Sequence, residues 1–263
     1  MKKFTKIIVA VLVITMLLSL CACGKKEEKM EKIVFGTSAD YPPFEFHVLK
    51  DGVDTIVGID VFLAEKIAED MGVEIEIKDI SFDYLIQELS NGSVDFVIAA
   101  MEDDGERSKQ VDFSDPYYTD LPAMIVVPAD KASEYTSLDS FNGKTVGAQN
   151  ATTKADIVTN DMPGATLLAI STVTDLINNL VNDKCDAVVL DGAVAMEYVE
   201  NNDDLVIADV PLGEALPFRV AIQKDDPSGI MDSINKTIAA AIKDGTMDKW
   251  IEEANTLSEE AAE

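Results

Sequence analysis

Histidine occurs once and cysteine three times in this 263-residue chain, and the two scarcities remove whole classes of chemistry. His47 has no second ligand cluster beside it, so no metal site is expected, and no cofactor motif stands out. Cys21 and Cys23 fall in the N-terminal segment and leave Cys185 alone, which excludes a disulfide framework in the body of the chain. Cys185 sits in the apolar run KCDAVVL and is expected to be a small core residue, not a nucleophile. Basic residues are also few: 21 Lys and Arg face 49 Asp and Glu, a formal charge of −28. With no basic stripe to neutralise phosphates, nucleic acid is excluded as a partner. No G-x-x-x-x-G-K-[ST] loop occurs, so this chain is not expected to hydrolyse ATP. What is present is an apolar content of 47%, ordinary for a globular protein, under an acidic surface that favours solubility and a monomer.

The N-terminal segment stands apart. Lys2, Lys3 and Lys6 form a basic region, residues 7–20 are a nearly unbroken apolar run, and Leu20-Cys21-Ala22-Cys23-Gly24 closes it. This is an export signal, too short for a comfortable membrane span. Its end resembles the lipobox of bacterial lipoproteins, with Cys23 as the residue that would carry lipid. The expectation is a signal peptide over 1–22, a charged lipidated tether over 23–31, and a body anchored to the extracytoplasmic face of the cell membrane.

An internal repeat organises that body. Residues 83–100, DYLIQELSNGSVDFVIAA, return 91 positions later as TDLINNLVNDKCDAVVLD, residues 174–191. Leu85, Ile86 and Leu89 correspond to Leu176, Ile177 and Leu180 on one helix face, Asn91 to Asn182 at the helix exit, and Asp95 and Val97 to Asp186 and Val188 in the next strand. One helix and one strand cannot close a core, so two copies predict two similar α/β lobes. Ligands of open α/β sheets sit beyond strand carboxyl ends, here 100–107 and 190–192, and the lobes are expected to face each other across a cleft. Residues 32–37 read as a strand, followed by a loop that Pro42 and Pro43 keep from being helix or central strand. A helix over 58–71 ends at Gly72, and a strand follows over 73–80. Residues 144–148 are a strand and 149–153 open a helix, where free N–H groups and hydroxyls can hold an anion. Further strands are expected over 124–127, 166–170, 205–210 and 219–223. Then come a helix over 227–244 capped by Gly245, a last turn or two around a core Trp250, and a frayed acidic tail over 255–263.

Seven segments spread along the chain carry a resemblance: GTSADYPPFEF, VGIDVFLAEKIAEDMG, SFDYLIQELSNGSVDFVIAAM, ERSKQVDFSDPYY, KTVGAQNATT, DAVVLDGAVA and IKDGTMDKWIEE. From about 32 to 254 the chain resembles the substrate-binding proteins of polar amino acid ABC transporters, bacterial extracellular family 3. The resemblance implies a two-lobe, type II periplasmic-binding-protein-like α/β fold, crossed twice near 118–122 and 213–217. Lobe one would comprise 32–118 plus 218–254, and lobe two 119–217. It also implies partners, an ABC permease and its cytoplasmic ATPase, and a polar amino acid as ligand, the cationic ones included.

The resemblance assigns roles to residues that by themselves read otherwise. Arg107 matches the arginine that holds the ligand's α-carboxylate with a planar fork; alone it reads as a surface partner of Glu106. Asp191 matches the acid that receives the α-ammonium; alone it caps a helix starting at Gly192. Thr152 would add a hydroxyl or N–H to the carboxylate, and Tyr41 and Phe82 would sandwich the side chain or, alternatively, pack in the core. Ala100, Gln149 and Asn150 complete the expected set at the strand ends. The chain departs from the family where hydroxyl residues are common, reading Ala100-Met101-Glu102-Asp103-Asp104-Gly105. A carboxylate at Glu102 repels a bound carboxylate, so either Glu102 points out of the pocket and backbone N–H groups do the work, or the ligand presents a cation there, which makes a polar amino acid, the cationic ones included, the expected ligand. The same fold also serves sensors, scavengers and a few dehydratases. Glu102, Asp104 or Asp191 could act as general acid or base, but nothing in the sequence singles one out, and a binding protein, not an enzyme, is expected.

Overall fold

The computed structural model describes residues 30–262. The expected export signal, Cys23, most of the expected tether and Glu263 lie outside them. Lys32–Thr37 forms β1, which leads into a small antiparallel sheet of β2 (Asp40–Tyr41), β3 (Glu45–Lys50) and β4 (Val53–Val57). The prolines do hold 42–43 out of any strand, but the residues flanking them form a hairpin where the sequence suggested a plain loop. Helix α1 (Ile59–Met71) buries Val61, Leu63, Ala64, Ile67 and Ala68, and Gly72 closes it with φ 66°, a left-handed position that suits a residue without Cβ. Next come β5 (Glu74–Asp79), α2 (Phe82–Ser90), β6 (Phe96–Val97) and β7 (Val111–Thr119).

The second half opens with β8 (Met124–Pro128) and β9 (Thr145–Gln149). It continues through α3 (Thr153–Asp161), β10 (Thr166–Ile170), α4 (Val173–Val181), β11 (Ala187–Leu190), α5 (Gly192–Glu200) and β12 (Leu205–Ile207). The chain then returns as β13 (Pro217–Gln223) and ends in α6 (Met231–Asp244) and α7 (Thr246–Ala262).

These elements make two five-stranded sheets, ordered β5-β1-β6-β13-β7 and β10-β9-β11-β8-β12. The first three strands of each are parallel and the fourth antiparallel, so the lobes share one topology. The repeat is real in three dimensions. Helices α2 and α4 start and stop at corresponding residues and exit at Asn91 and Asn182. Asp95 and Asp186 do the same work: each carboxylate accepts a backbone N–H of the adjacent strand, Val34 at 2.7 Å and Thr145 at 2.8 Å. Each lobe has its own core, one around Leu85, Leu89, Val97 and Ala221, the other around Ile125, Phe141, Val146 and Val189. The two crossings run side by side, Thr119 at the end of β7 pairing with Pro217 at the start of β13.

Two expectations at the C-terminus give way. The segment expected to fray continues as helix to Ala262, because Ala254 and Ser258, one turn apart, are both buried; the Ser258 hydroxyl donates to Glu197 Oε1 of α5 at 2.5 Å. Trp250 is half-buried at the surface, while Met247 takes the core position on that helix. Cys185 is buried and free, its thiol pushed up to about 11 by burial and then by Asp186.

Candidate functional site

A buried carboxylate fixes one wall of the cleft. Asp60, in the first turn of α1, is fully buried and accepts the Ala100 N–H at 2.7 Å and the Tyr117 hydroxyl at 2.8 Å. An anion is favoured at a helix N-terminus by its unpaired N–H groups, and here it also holds Ala100 at φ 44°. Glu102 and Arg107 follow from that anchored strand end, 6% and 8% exposed. Asp104 accepts the backbone N–H groups of Glu106 and Arg107 and lies 3.5 Å from Arg107 Nε, orienting the guanidinium. Glu106 pairs instead with Lys109. Arg107 donates from Nη1 to the Glu102 carbonyl at 2.7 Å and from Nη2 to the Ala151 carbonyl of the other lobe at 2.8 Å. Its guanidinium lies over the Phe82 ring, 5.3 Å from the centroid.

Asp191 stands opposite, at the end of β11. Although it occupies the N-cap position of α5, its carboxylate makes no capping bond. It accepts the Tyr41 hydroxyl at 2.6 Å and Lys154 Nζ at 2.7 Å. Lys154 is 5% exposed and also donates to Glu102 Oε2 at 3.0 Å, an oxygen that the Thr153 hydroxyl bonds as well. Glu102 therefore points into the cleft, and the cation it meets belongs to its own chain. Burial works against the Lys154 charge, but Asp191 and then Glu102 outweigh it and raise its pKa.

The cavity at the centre of this cluster is about 10 Å³, roughly the room of one water. Of the expected set, Asn150 alone stands outside it: exposed, it donates to Asp83 across the cleft at 3.2 Å. The Thr152 hydroxyl is committed to capping α3, accepting from Ala155 N–H and donating to the Gln149 carbonyl, which leaves the orphan N–H groups of that first turn for an anion. The Gln149 side chain donates to the Ser171 carbonyl at 2.9 Å. Ser38 and Asp40 line both this cavity and a wider opening of about 620 Å³ that runs to Glu197 and Ser258. His47, on β3, is exposed and paired with Asp54 and Asp79.

Sequence reasoning missed Lys154, Asp40 and Glu45. Lys154 carried a legible signal: a cation in the first turn of a helix opposes the helix dipole, so something else must hold it there. Asp40 accepts the Val173 N–H of the second lobe at 2.6 Å, and burial raises its pKa to about 6. Glu45 is 1% exposed, and Oε2 finds no hydrogen-bond partner among the described residues. Burial, and then the charge of Asp60 beside it, hold its carboxyl well above the usual range.

The buried Asp60 predicts how stability follows pH. Burial lifts its pKa from 3.8 to about 6, so between these values the folded protein holds a proton that the unfolded chain releases. This contribution is fully present below about pH 4 and is lost as pH rises through 6, an expected fall of about 2–3 kcal/mol. Urea unfolding of the wild type and Asp60→Asn across pH 4–7 checks it. The variant, whose amide does not titrate, is expected to lack this part of the slope, and equal slopes would remove Asp60 as its source.

Comparison with known proteins gives a consistent result. The profile of the bacterial extracellular solute-binding proteins, family 3, matches residues 33–254. The arginine-binding extracellular protein ArtP of Bacillus subtilis (strain 168) is 37% identical over 258 residues, covering 95% of this chain and 96% of ArtP. ABC transporter arginine-binding protein 1 of Escherichia coli (strain K12) is 31% identical over 223 residues, covering 83% and 88%. Among solved structures, the amino acid ABC transporter substrate-binding protein AbpA of Streptococcus pneumoniae, bound to L-arginine, superposes with a TM-score of 0.83 at 34% identity, covering 86% of this chain and 95% of AbpA.

Proposed function

The chain belongs to the bacterial extracellular solute-binding proteins, family 3, and on that premise we propose that its cleft captures a cationic L-amino acid, arginine foremost. The protein is an extracytoplasmic amino-acid-binding component of an ABC importer. The observation that carries the ligand class is the charge of the cavity wall. Asp40, Glu102 and Asp191 oppose Lys154 and Arg107 on this wall, and Glu45, whose charged form burial disfavours, adds no cation, so acid outweighs base. A neutral zwitterion adds nothing to offset that excess, whereas arginine and lysine bring a positive charge to it. The names of the relatives point the same way.

In this reading Arg107 takes the α-carboxylate with the donors its two carbonyl partners leave unused, together with the N–H groups opening α3. Asp191 takes the α-ammonium. Tyr41 and Phe82 flank the side chain, and Asp40, on the path to the wider opening, faces its cationic end. Contacts to both lobes favour the closed over the open form, and the permease with its cytoplasmic ATPase reads that closure. The lobes divide near Thr119 and Pro217, as 32–118 plus 218–254 and 119–217, and a monomer tethered through lipid at Cys23 completes the assignment.

Thermal unfolding of protein refolded to strip carried ligand, against a panel of amino acids, tests this. Ligand at about 100 times its Kd adds about 2.7 kcal/mol, a rise of about 5–11 °C for a chain of this size. Arginine is expected to give the largest shift, lysine and ornithine less, and glutamate none. A glutamine shift equal to that of arginine would overturn the cationic assignment.

A further inference from the structure

We propose that Lys154 is a built-in cation that occupies the ammonium seat at Asp191 and, through Glu102, ties the lobes together, so that ligand binding is an exchange of one ammonium for another. The inference rests on the reading of Asp191 as the ligand's ammonium partner and adds a residue that selects what can bind.

The geometry is an alternating chain of groups from the two lobes. Tyr41 of the first bonds Asp191 of the second; Lys154, on the second, bonds both Asp191 and Glu102; and Glu102, on the first, accepts from Thr153 of the second. Lys154, Glu102 and Asp191 are all nearly inaccessible. Burying three charges is unfavourable unless each is paired, and the pairing is complete only with the lobes closed, because Glu102 and Lys154 lie on opposite sides of the cleft. The cavity of about 10 Å³ has no room for a second ammonium beside the first. A ligand must therefore move Lys154 off Asp191, and it leaves Asp191 paired only if it carries a cation of its own. Lys154 can then stay on Glu102, which disposes of the repulsion between that carboxylate and the ligand's. Lys154 thus acts as a filter: compounds with a free ammonium can replace it, and N-acylated amino acids or simple organic acids cannot.

One backbone group reports closure without a label. The Val173 N–H of the second lobe donates to Asp40 of the first at 2.6 Å, and it loses that partner when the lobes part. Hydrogen exchange at Val173 in the full-length chain, with and without arginine, is compared for wild type, Lys154→Met and Glu102→Gln, with circular dichroism showing that each variant is folded. Without added amino acid, wild-type Val173 is expected to be protected, and Lys154→Met to exchange about tenfold faster, since a population shift of that size follows from losing one tie. Glu102→Gln weakens the same tie without touching Asp191, and should move exchange in the same direction if Lys154→Met does not fold. Removing the internal competitor is also expected to tighten arginine binding about tenfold, measured by calorimetry in the double variant Lys154→Met/Glu102→Gln, which leaves no unpaired carboxylate beside the ligand's. Unchanged protection in both folded variants overturns the proposal. Weaker arginine binding in that double variant also overturns it, because Lys154 would then hold the ligand's carboxylate. If no amino acid binds either protein, the ligand assignment fails, and Val173 exchange still decides whether Lys154 closes the cleft.

Discussion

Arg107→Ala is expected to weaken amino acid binding by about 3–5 kcal/mol, roughly two to four orders of magnitude, because it removes one member of a buried charge pair and strands the other. The guanidinium is nearly inaccessible and already joins the lobes through the Glu102 and Ala151 carbonyls. Those two bonds use two of its five N–H groups, and the guanidinium sits over Phe82, 5.3 Å from the ring centroid. A carboxylate arriving here meets a donor that neither swings nor needs reorganising. The substitution also leaves two carbonyl acceptors without their donor, so the closed form suffers even before ligand arrives. Arg107→Lys separates charge from shape. It keeps the cation, but an ammonium on a flexible stem cannot hold both carbonyls and a carboxylate in one plane, and most of the loss is expected to remain. Calorimetry with arginine on folded variants decides it. Binding within tenfold of wild type in Arg107→Ala would move the carboxylate anchor elsewhere in the cleft.

Different parts of this molecule were legible to different degrees, and the reasons are physical. Local periodicity carries the repeat, so the helix faces of Leu85 and Leu176 and the paired Asp95 and Asp186 could be read directly. Arg107 and Asp191 could be placed in a cleft only through the family resemblance, since locally one reads as a partner of Glu106 and the other as a helix cap. In the structure Glu106 belongs to Lys109, and the Asp191 carboxylate turns from its helix toward Tyr41 and Lys154. Long-range pairing is where sequence reasoning stops. Nothing near Glu102 in sequence announces Lys154, 52 residues away, and nothing at Asn150 shows that it faces Asp83 outside the cavity. The C-terminal helix was hidden by its acidic composition, which outweighed the one-turn spacing of Ala254 and Ser258 that in fact keeps it docked.

Gly58→Ala is expected to be the most destabilising of the glycine-to-alanine changes in the first lobe. Gly58 has φ 127° and ψ 176°, a region that side chains avoid at a cost of about 1–3 kcal/mol. Its added Cβ would lie 2.1 Å from the Phe44 carbonyl oxygen, 2.6 Å from its carbon and 2.9 Å from the Pro43 oxygen. These are all backbone atoms, so no rotamer change relieves the contact. The same two carbonyls accept the N–H groups of Ile59 and Asp60 at 3.2 and 3.0 Å, which docks the proline loop on the start of α1. The loop cannot retreat, because Phe44 is fully buried, with its ring 5.2 Å from those of both Tyr118 and Phe218, beside the crossings. Strain, two weakened bonds and a shifted aromatic cluster together amount to about 3–5 kcal/mol, a fall in melting temperature of about 6–20 °C. The functional consequence follows from what the loop carries: Asp40, Tyr41 and Glu45 all line the cavity, so arginine affinity is expected to fall with stability. Gly72→Ala is the matched control. Gly72 also has positive φ, 66°, but nothing lies within 4 Å of its added Cβ; it is expected to lose about 1–2 kcal/mol and to bind arginine as wild type does. If the two variants melt together, backbone strain alone accounts for Gly58, and the close approach of the proline loop is not what holds the cleft wall in place.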